Sequence, residues 1–131
     1  MINRIKLTEN FWLDEFQCRC CNTVRLEPEL LEKLQKLRDW AKDSITLNSA
    51  FRCVKHNRDI GGVSNSFHVQ GKAVDINMKG HTKEHLHAMH LQAQVLGFTG
   101  IGLYYSKKDG SPIFMHLDVG TERFRQWDEV R

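Results

Sequence analysis

The sequence has no long apolar stretch. No run among its 131 residues approaches the ~20 apolar residues that a membrane-spanning helix needs. The first ten residues, Met-Ile-Asn-Arg-Ile-Lys-Leu-Thr-Glu-Asn, carry charges where a secretory signal needs an apolar core. We therefore expect no membrane span, and synthesis in the cytoplasm without an export signal.

Internal repeats, low-complexity tracts and linkers are also missing. The length suits one domain, residues 1–131, that can bury a core. Hydrophobic residues make up 40% and charged residues 27%, which is ordinary for a soluble globular protein. The net charge of +3 is small and spread along the chain, so it indicates no nucleic-acid partner. We expect a monomer.

The four cysteines lack the Cys-x-x-Cys spacing that is typical of a zinc ribbon. Three of them form a Cys-x-Cys-Cys group, at Cys18, Cys20 and Cys21, and Cys53 stands alone. Three interpretations remain open. The thiols are free and mostly buried, or Cys18 or Cys20 forms a disulfide with Cys53, or the group is a structural metal site.

Apolar periodicity predicts an α+β fold, with helices packed on one mostly antiparallel sheet of about four strands. A proline and acidic residues mark the start of the first helix, and Gly97 marks the end of the second. Residues 52–72 are predicted to be a loop, and the segment after Gly120 is predicted to be polar, with Phe124 and Trp127 as anchors. The predicted helices cover about 27–42 and 82–96, and the predicted strands cover 45–50, 73–78, 100–105 and 114–119.

Two histidines and an aspartate have the chemistry that a catalytic zinc site needs, since such a site takes three protein groups and leaves one position open. His68 lies on a loop before the second strand, and Asp75 lies within that strand. His116 lies on the fourth strand, on the same face as Asp118, because alternate residues of a strand share a face. The spacing alone fits a zinc site and unrelated surface polar residues equally well.

A longer series of motifs resembles a known family. These are Ser49-Ala-Phe-Arg-Cys53, His56-Asn57, Ile60-Gly-Gly-Val63, Asn65-Ser-x-His-x-x-Gly-x-Ala-x-Asp-Ile76, Gly97-Phe-x-Gly-Ile-Gly-x-Tyr104 and Phe114-x-His-x-Asp-x-Gly120. The series closely resembles the zinc D-Ala-D-Ala carboxypeptidase and L-alanyl-D-glutamate endopeptidase family, whose fold is shared with the Hedgehog signalling domain. The resemblance covers about residues 10–128. It implies Zn²⁺ bound by His68, Asp75 and His116, and peptidoglycan stem peptides as substrate.

The resemblance also implies substrate contacts around Arg52 and Ser66. An arginine at such a site stabilises a developing oxyanion or holds a substrate carboxylate by a bidentate contact, although Arg52 also suits an ordinary structural role. Tyr104, at the end of a strand that borders the expected site, is a candidate for substrate binding, and a packed core tyrosine is the alternative.

The general base is the part of the site where the sequence departs from the family. Many members have Glu or Asp three residues before the last histidine, and this chain has Ile113 there. Asp118 is the first candidate for the base because it shares a strand face with His116, and support of that histidine is its alternative role. Asp109, on the predicted hairpin turn, is a weaker candidate.

The expected function is hydrolysis of stem-peptide or cross-link amide bonds in peptidoglycan through a zinc-bound water, as in a phage or prophage endolysin or a bacterial wall hydrolase. Its place of action would be the cell wall, reached through a membrane lesion or after removal of a leader. The alternative is a catalytically inactive zinc-containing binding or phage structural module of the same fold, which the residue at Ile113 keeps open.

Overall fold

The computed structural model describes residues 2–131, and its centre is a sheet of five strands. The strands are β1 (Leu47–Ser49), β2 (Ala73–Asn77), β3 (Gly100–Tyr105), β4 (Pro112–Asp118) and β5 (Arg125–Val130). Their order is β1-β2-β4-β3-β5, and every neighbouring pair is antiparallel except β3 and β5. The predicted α+β class with a mostly antiparallel sheet is confirmed, with a fifth strand in addition to the predicted four.

The helices are α1 (Pro28–Ala41), α2 (Val54–Asp59) and α3 (Lys83–Leu96), and a 3₁₀ turn covers Leu13–Glu15. Pro28 occupies the first turn of α1, where a missing N–H costs nothing, and Lys42 ends the helix in the left-handed conformation. In α3 the Thr82 hydroxyl caps the first turn, and Gly97 ends the helix with a φ of 97°.

The core lies between the sheet and the two long helices. Leu30, Leu34 and Leu37 of α1 are buried at helical spacing, as the periodicity predicts. Met115 and Leu117 of β4 point into the same core, so His116 between them faces the other side of the sheet. No helix within residues 2–131 combines the length and hydropathy that would carry it across a bilayer.

Two elements differ from the sequence predictions. Helix α2 lies inside the segment predicted to be a loop, where its six residues are too few for a periodic pattern. Strand β5 lies in the C-terminal segment, which was predicted only to be polar, with Phe124 and Trp127 as anchors. It is a strand because it pairs in parallel with β3, and that long-range pairing leaves little trace in its own composition.

The strand register places the polar residues of the sheet next to each other. Asp75 of β2 lies directly opposite His116 of β4, and Gly102 of β3 lies opposite His116 on the other side. Two residue pairs further along, Asp118 lies between Ala73 and Gly100. Directly opposed residues have their Cβ atoms about 5 Å apart, so the register alone brings the Asp75 and His116 side chains into contact.

Gly100 and Gly102 leave space on β3 for side chains from β5 to reach across it. A Cβ at Gly100 would lie 2.1 Å from Asp118 Oδ2 and 2.5 Å from an Arg125 guanidinium nitrogen. A Cβ at Gly102 would lie 2.6 Å from the ring of Trp127. Two glycines at alternate positions therefore allow Arg125 and Trp127 to contact the polar residues of β4.

Gly100→Ala is expected to lower the free energy of unfolding by at least about 3 kcal/mol, because the methyl group overlaps a buried carboxylate and its arginine partner. Gly80→Ala is the matched comparison, since a Cβ there meets nothing within 4 Å and only the φ of 86° is unfavourable. That variant should cost about 1–2 kcal/mol. Urea denaturation of both variants measures the difference, and equal losses would contradict the close contact.

Candidate metal centre

His68, Asp75 and His116 converge on one point at the exposed face of the sheet. Asp75 Oδ1 lies 3.4 Å from His68 Nε2 and 3.1 Å from His116 Nδ1. The three candidate ligand atoms all lie within 4.8 Å of one another. The two strand residues face each other across β2 and β4, and the loop before β2 brings in His68.

This donor set fits zinc. Zinc bonds to histidine nitrogen and carboxylate oxygen at about 2.1 Å, and two ligands of a tetrahedral ion at that distance lie about 3.4 Å apart. The measured separations of 3.4 and 3.1 Å agree with that spacing. Two imidazoles and one carboxylate make three protein ligands, which is the number in a catalytic zinc site, where the fourth position stays open.

Hydrogen bonds orient both imidazoles toward the common point. His68 Nδ1 lies 2.7 Å from the carbonyl oxygen of Ala50, which can only accept, so His68 donates there and its Nε2 is left with a lone pair. His116 Nε2 lies 2.7 Å from Asp118 Oδ2, which leaves His116 Nδ1 facing Asp75. Such partners behind the ligands fix the tautomer and the ring orientation in metal sites.

The carboxylates and the histidines also shift each other's pKa values. Burial raises the pKa of Asp75, but hydrogen bonds and charge from His116 and His68 outweigh it and hold that pKa well below its usual range. Burial lowers the pKa of His116, but its hydrogen bonds with Asp118 and Asp75 outweigh that effect and raise the pKa to about 8. The metal-free centre therefore favours ionised carboxylates around a protonated His116.

This balance predicts how the stability of the metal-free protein depends on pH. The pKa of His116 is about 8 in the folded protein and 6.5 by itself, so its stabilisation is complete below pH 6.5 and is lost as the pH rises through 8. The loss is about 2 kcal/mol, from 1.36 kcal/mol per pKa unit. The stabilisation from Asp75 has the opposite sign and is lost only in acid.

Urea denaturation in chelator at pH 6 and pH 9 measures this loss. His116→Gln is the matched variant, because it removes the titrating ring and leaves the thiols and the other histidines in place. The part of the decline that is present in the wild type and missing from the variant is the contribution of His116. An equal decline in both proteins would contradict the assignment.

A cleft with a volume of about 360 Å³ opens over the centre. All six residues predicted for metal or substrate binding line it, together with several apolar and aromatic side chains. The predicted residues are Arg52, Ser66, His68, Asp75, Tyr104 and His116. These six residues, which span 65 positions of the sequence, thus meet in one cavity.

Arg52 and Ser66 lie at one side of this cleft. The Ser66 hydroxyl accepts a hydrogen bond from the backbone N–H of His68 at 3.2 Å, and an Arg52 guanidinium nitrogen lies 3.5 Å from the same oxygen. Burial lowers the pKa of Arg52, while the charge of Asp75 raises it. Arg52 Nε is buried and finds no hydrogen-bond acceptor among residues 2–131. The guanidinium is therefore not fully paired within the chain.

Aromatic residues form the opposite side of the cleft. Tyr104 is stacked on Phe114, with ring centroids 4.1 Å apart, and its hydroxyl oxygen accepts a hydrogen bond from Trp127 Nε1 at 2.8 Å. The Trp127 ring lies 5.2 Å from the ring of His116. Tyr104 is thus packed against its neighbours and also borders the cleft. Its position is compatible with both roles predicted from the sequence, substrate binding and core packing.

Asp118 lies behind His116 and is completely buried. Besides His116 Nε2, its carboxylate accepts hydrogen bonds from the Arg125 guanidinium and from the backbone N–H of Gly120. Asp118 is not among the residues that line the cleft. Its contacts are those of a residue that supports a ligand histidine.

The other positions considered for the general base lie elsewhere. Asp109 is exposed on the β3–β4 turn, where its carboxylate accepts hydrogen bonds from the backbone N–H and the hydroxyl of Ser111. Ile113 is on β4 but faces away from the cleft, next to Lys79 and Gly80. Asp75 is the one carboxylate among the described residues that line the cleft.

Sequence reasoning missed the contribution of β5. Arg125 and Trp127 alternate with Gln126 and Asp128, and both point toward β4 across the two glycines of β3. The C-terminal residue Arg131 also borders the cleft, with its guanidinium 4.7 Å from the Tyr104 ring. The period-two spacing of Arg125 and Trp127 was the available signal for a strand.

The comparison with protein families matches residues 9–118 to the family model described as peptidase M15. That range is most of the chain and contains all three candidate ligands. The chain belongs to the peptidase M15 family. No curated protein matches the chain significantly.

Membership confirms the resemblance to the zinc D-Ala-D-Ala carboxypeptidase family. It supports zinc-dependent peptidase chemistry for this M15 peptidase, and the His-Asp-His group is a possible site for the metal.

Proposed function

We propose that this M15 peptidase hydrolyses amide bonds in peptidoglycan stem peptides or cross-links, with zinc held by His68, Asp75 and His116. The observation that carries the proposal is the convergence of these three ligand atoms within 4.8 Å of one another at the base of the cleft. When bound, zinc supplies a Lewis acid and lowers the pKa of a water ligand to about 7.

The side chains around the ligands have distinct proposed roles. Asp75 provides the negative charge, and its low pKa keeps it ionised at neutral pH. The carbonyl of Ala50 keeps the proton of His68 on Nδ1, and Asp118 keeps the proton of His116 on Nε2. Asp118 is therefore proposed as a positioning residue, which is the second of the two roles that its sequence position suggests.

Arg52 is proposed to bind the substrate. Its guanidinium borders the cleft, is half-buried and is not fully paired within the chain. Stem peptides carry free carboxylates and develop an oxyanion during hydrolysis, and a guanidinium can hold either by paired hydrogen bonds. The hydroxyls of Ser66 and Tyr104 each accept a hydrogen bond from the protein, so their own protons are available to a peptide carbonyl.

The place of action proposed for this activity is the cell wall, and the acting unit is a monomer. The cleft is lined entirely from one chain, with ligands from β2, β4 and the loop before β2, so a single copy provides the complete centre. Metal binding at this centre therefore needs no ligand from a second copy.

A zinc-containing binding module of the same fold is the second candidate. It is favoured by the cleft itself, whose described lining residues include no carboxylate besides the ligand Asp75. A general base within reach of the reacting water is a usual part of hydrolysis. Without a general base, the protein would bind stem peptides and not cleave them.

Incubation of the zinc-loaded protein with purified peptidoglycan separates the two candidates. A peptidase releases new amino groups, and a binding module co-sediments with the wall without releasing them. His68→Ala removes a ligand, and His87→Ala is its matched control because His87 is an exposed histidine on α3, outside the cleft. Release that survives His68→Ala would overturn the metal assignment, and the absence of release from several wall chemotypes would overturn the peptidase.

A further inference from the structure

The four cysteines form a second cluster of metal donors, away from the cleft. Their Sγ atoms all lie within 4.8 Å of one another. Cys20 lies between Cys18 and Cys53, which are distant in sequence. Its Sγ is 3.5 Å from that of Cys18 and 3.4 Å from that of Cys53. Zinc bonds to thiolate at about 2.3 Å, which places the sulfurs of a tetrahedral site about 3.8 Å apart. We propose that Cys18, Cys20, Cys21 and Cys53 bind a second, structural zinc ion.

The backbone explains how three cysteines within four residues can reach one ion. Cys18 N–H donates to the carbonyl of Thr23 at 2.7 Å, and Asn22 N–H donates to the carbonyl of Cys18 at 2.9 Å. Asn22 adopts a φ of 62°, which turns the chain back on itself. This tight turn folds Cys20 and Cys21 back over Cys18, so the unusual Cys-x-Cys-Cys spacing still gives a compact set of ligands.

Hydrogen bonds to sulfur support the thiolate form of the cluster. The backbone N–H of Cys53 points to the sulfur of Cys18, and that of His56 points to the sulfur of Cys53, both at 3.4 Å. Donors of this kind stabilise negative charge on ligands and fix their orientation. Binding of zinc displaces the thiol protons to solvent, so the site forms four zinc–sulfur bonds without any oxidant.

A four-ligand site accounts for the cluster better than a disulfide. A disulfide between Cys20 and Cys53 would use two of the sulfurs and leave Cys18 and Cys21 beside them without a role. All four cysteines are free in the structure. Cys18 is buried, Cys53 is half-buried, and Cys20 and Cys21 are exposed, so the ion would lie at the surface with access from solvent.

The second zinc would connect the N-terminal segment to the edge of the cleft. Cys53 follows Arg52, whose backbone N–H donates to the carbonyl of His68 at 3.2 Å. Phe51 N–H donates to the carbonyl of Phe16 at 3.1 Å in the same region. An ion bound by residues 18–21 and residue 53 would close a large loop and hold the segment that carries Arg52.

The metal content of purified variants tests this proposal. Under reducing, metal-free buffers after growth with zinc, the wild type should hold two zinc ions per chain by mass spectrometry of the metal. Cys20→Ser and His68→Ala should each hold one, and the double variant should hold none. His87→Ala should keep both. The proposal would be overturned if the wild type held one zinc ion per chain and Cys20→Ser held the same amount.

Cobalt substitution identifies which centre holds the metal. Thiolate ligands give cobalt a charge-transfer absorption in the near ultraviolet that a His-Asp-His site lacks. This absorption should persist in His68→Ala and vanish in Cys20→Ser and Cys21→Ser. If the cysteine variants do not fold, the thiols of His68→Ala are titrated with a mercurial reagent instead. We expect one zinc ion to be released as four thiols react. Four thiols without zinc, or a disulfide found by alkylation and mass spectrometry, would overturn the site.

Discussion

Replacing Asp75 with alanine is expected to eliminate zinc from the His-Asp-His centre and to lower peptidoglycan hydrolysis by a factor on the order of 10³ or more. That factor corresponds to about 4 kcal/mol of activation free energy. Asp75 is the ligand that touches both histidines, at 3.4 and 3.1 Å, and it provides the only negative charge among the three. Its removal leaves two neutral donors, which is fewer than a catalytic zinc site uses.

The measurements for Asp75→Ala are zinc content and the kcat/KM for release of amino groups. Asp43→Ala is the matched control, because Asp43 is exposed beyond the end of α1, outside the cleft, and its carboxylate accepts a hydrogen bond from the backbone N–H of Ser44. Both variants should keep the zinc ion proposed at the cysteine cluster. Equal zinc content at that cluster would show that both variants are folded. Unchanged hydrolysis by Asp75→Ala would exclude the proposed centre as the site of catalysis.

Asp118→Asn is expected to weaken zinc binding at the same centre by about 10–100-fold, with activity recovered at saturating zinc. The ionised carboxylate accepts from His116 through one oxygen, and from Arg125 and Gly120 through the other. An asparagine has one acceptor oxygen, so it cannot serve both sides. His116 then loses the partner that keeps its proton on Nε2 and its lone pair on Nδ1.

A general base at Asp118 would give a different result. In that case kcat would fall by about 10²–10⁴ at every zinc concentration, while the affinity for zinc changed little. Chelator competition gives the affinity, and kcat at increasing free zinc gives the activity. Urea denaturation of Asp118→Asn separates a local effect from unfolding, because the substitution also leaves Arg125 without its charged partner.

The sequence predicted most of the elements that carry the ligands. The predicted strands at 45–50, 73–78, 100–105 and 114–119 match β1 to β4, and the turn at Asp109-Gly110 correctly joined β3 and β4 as a hairpin. Apolar spacing identified α1 and α3 within one or two residues of their observed ends. These elements are predictable because their buried faces require a regular pattern, which appears in the sequence whatever the neighbouring element is.

Helix α2 and strand β5 were not predictable in this way. Helix α2 is short, and its first turn is capped by the sulfur of Cys53, which is not a usual capping residue. The residues of β5 are mostly polar and exposed, and the strand exists through its parallel pairing with β3. Pairing with a distant strand determines β5, and α2 is too short for its own residues to show a helical period.

By itself the sequence determined the family, through its motifs, and the α+β class, through its apolar periodicity, and the resemblance to the family pointed to His68, Asp75 and His116 as the proposed zinc ligands. Only the tertiary structure decided the environment of those residues. It placed Asp118 behind His116, brought Arg125 across Gly100, and joined Cys53 to Cys18, Cys20 and Cys21. Sheet register and loop closure bring together residues that are far apart in sequence, and a local sequence pattern does not show which distant residues will meet.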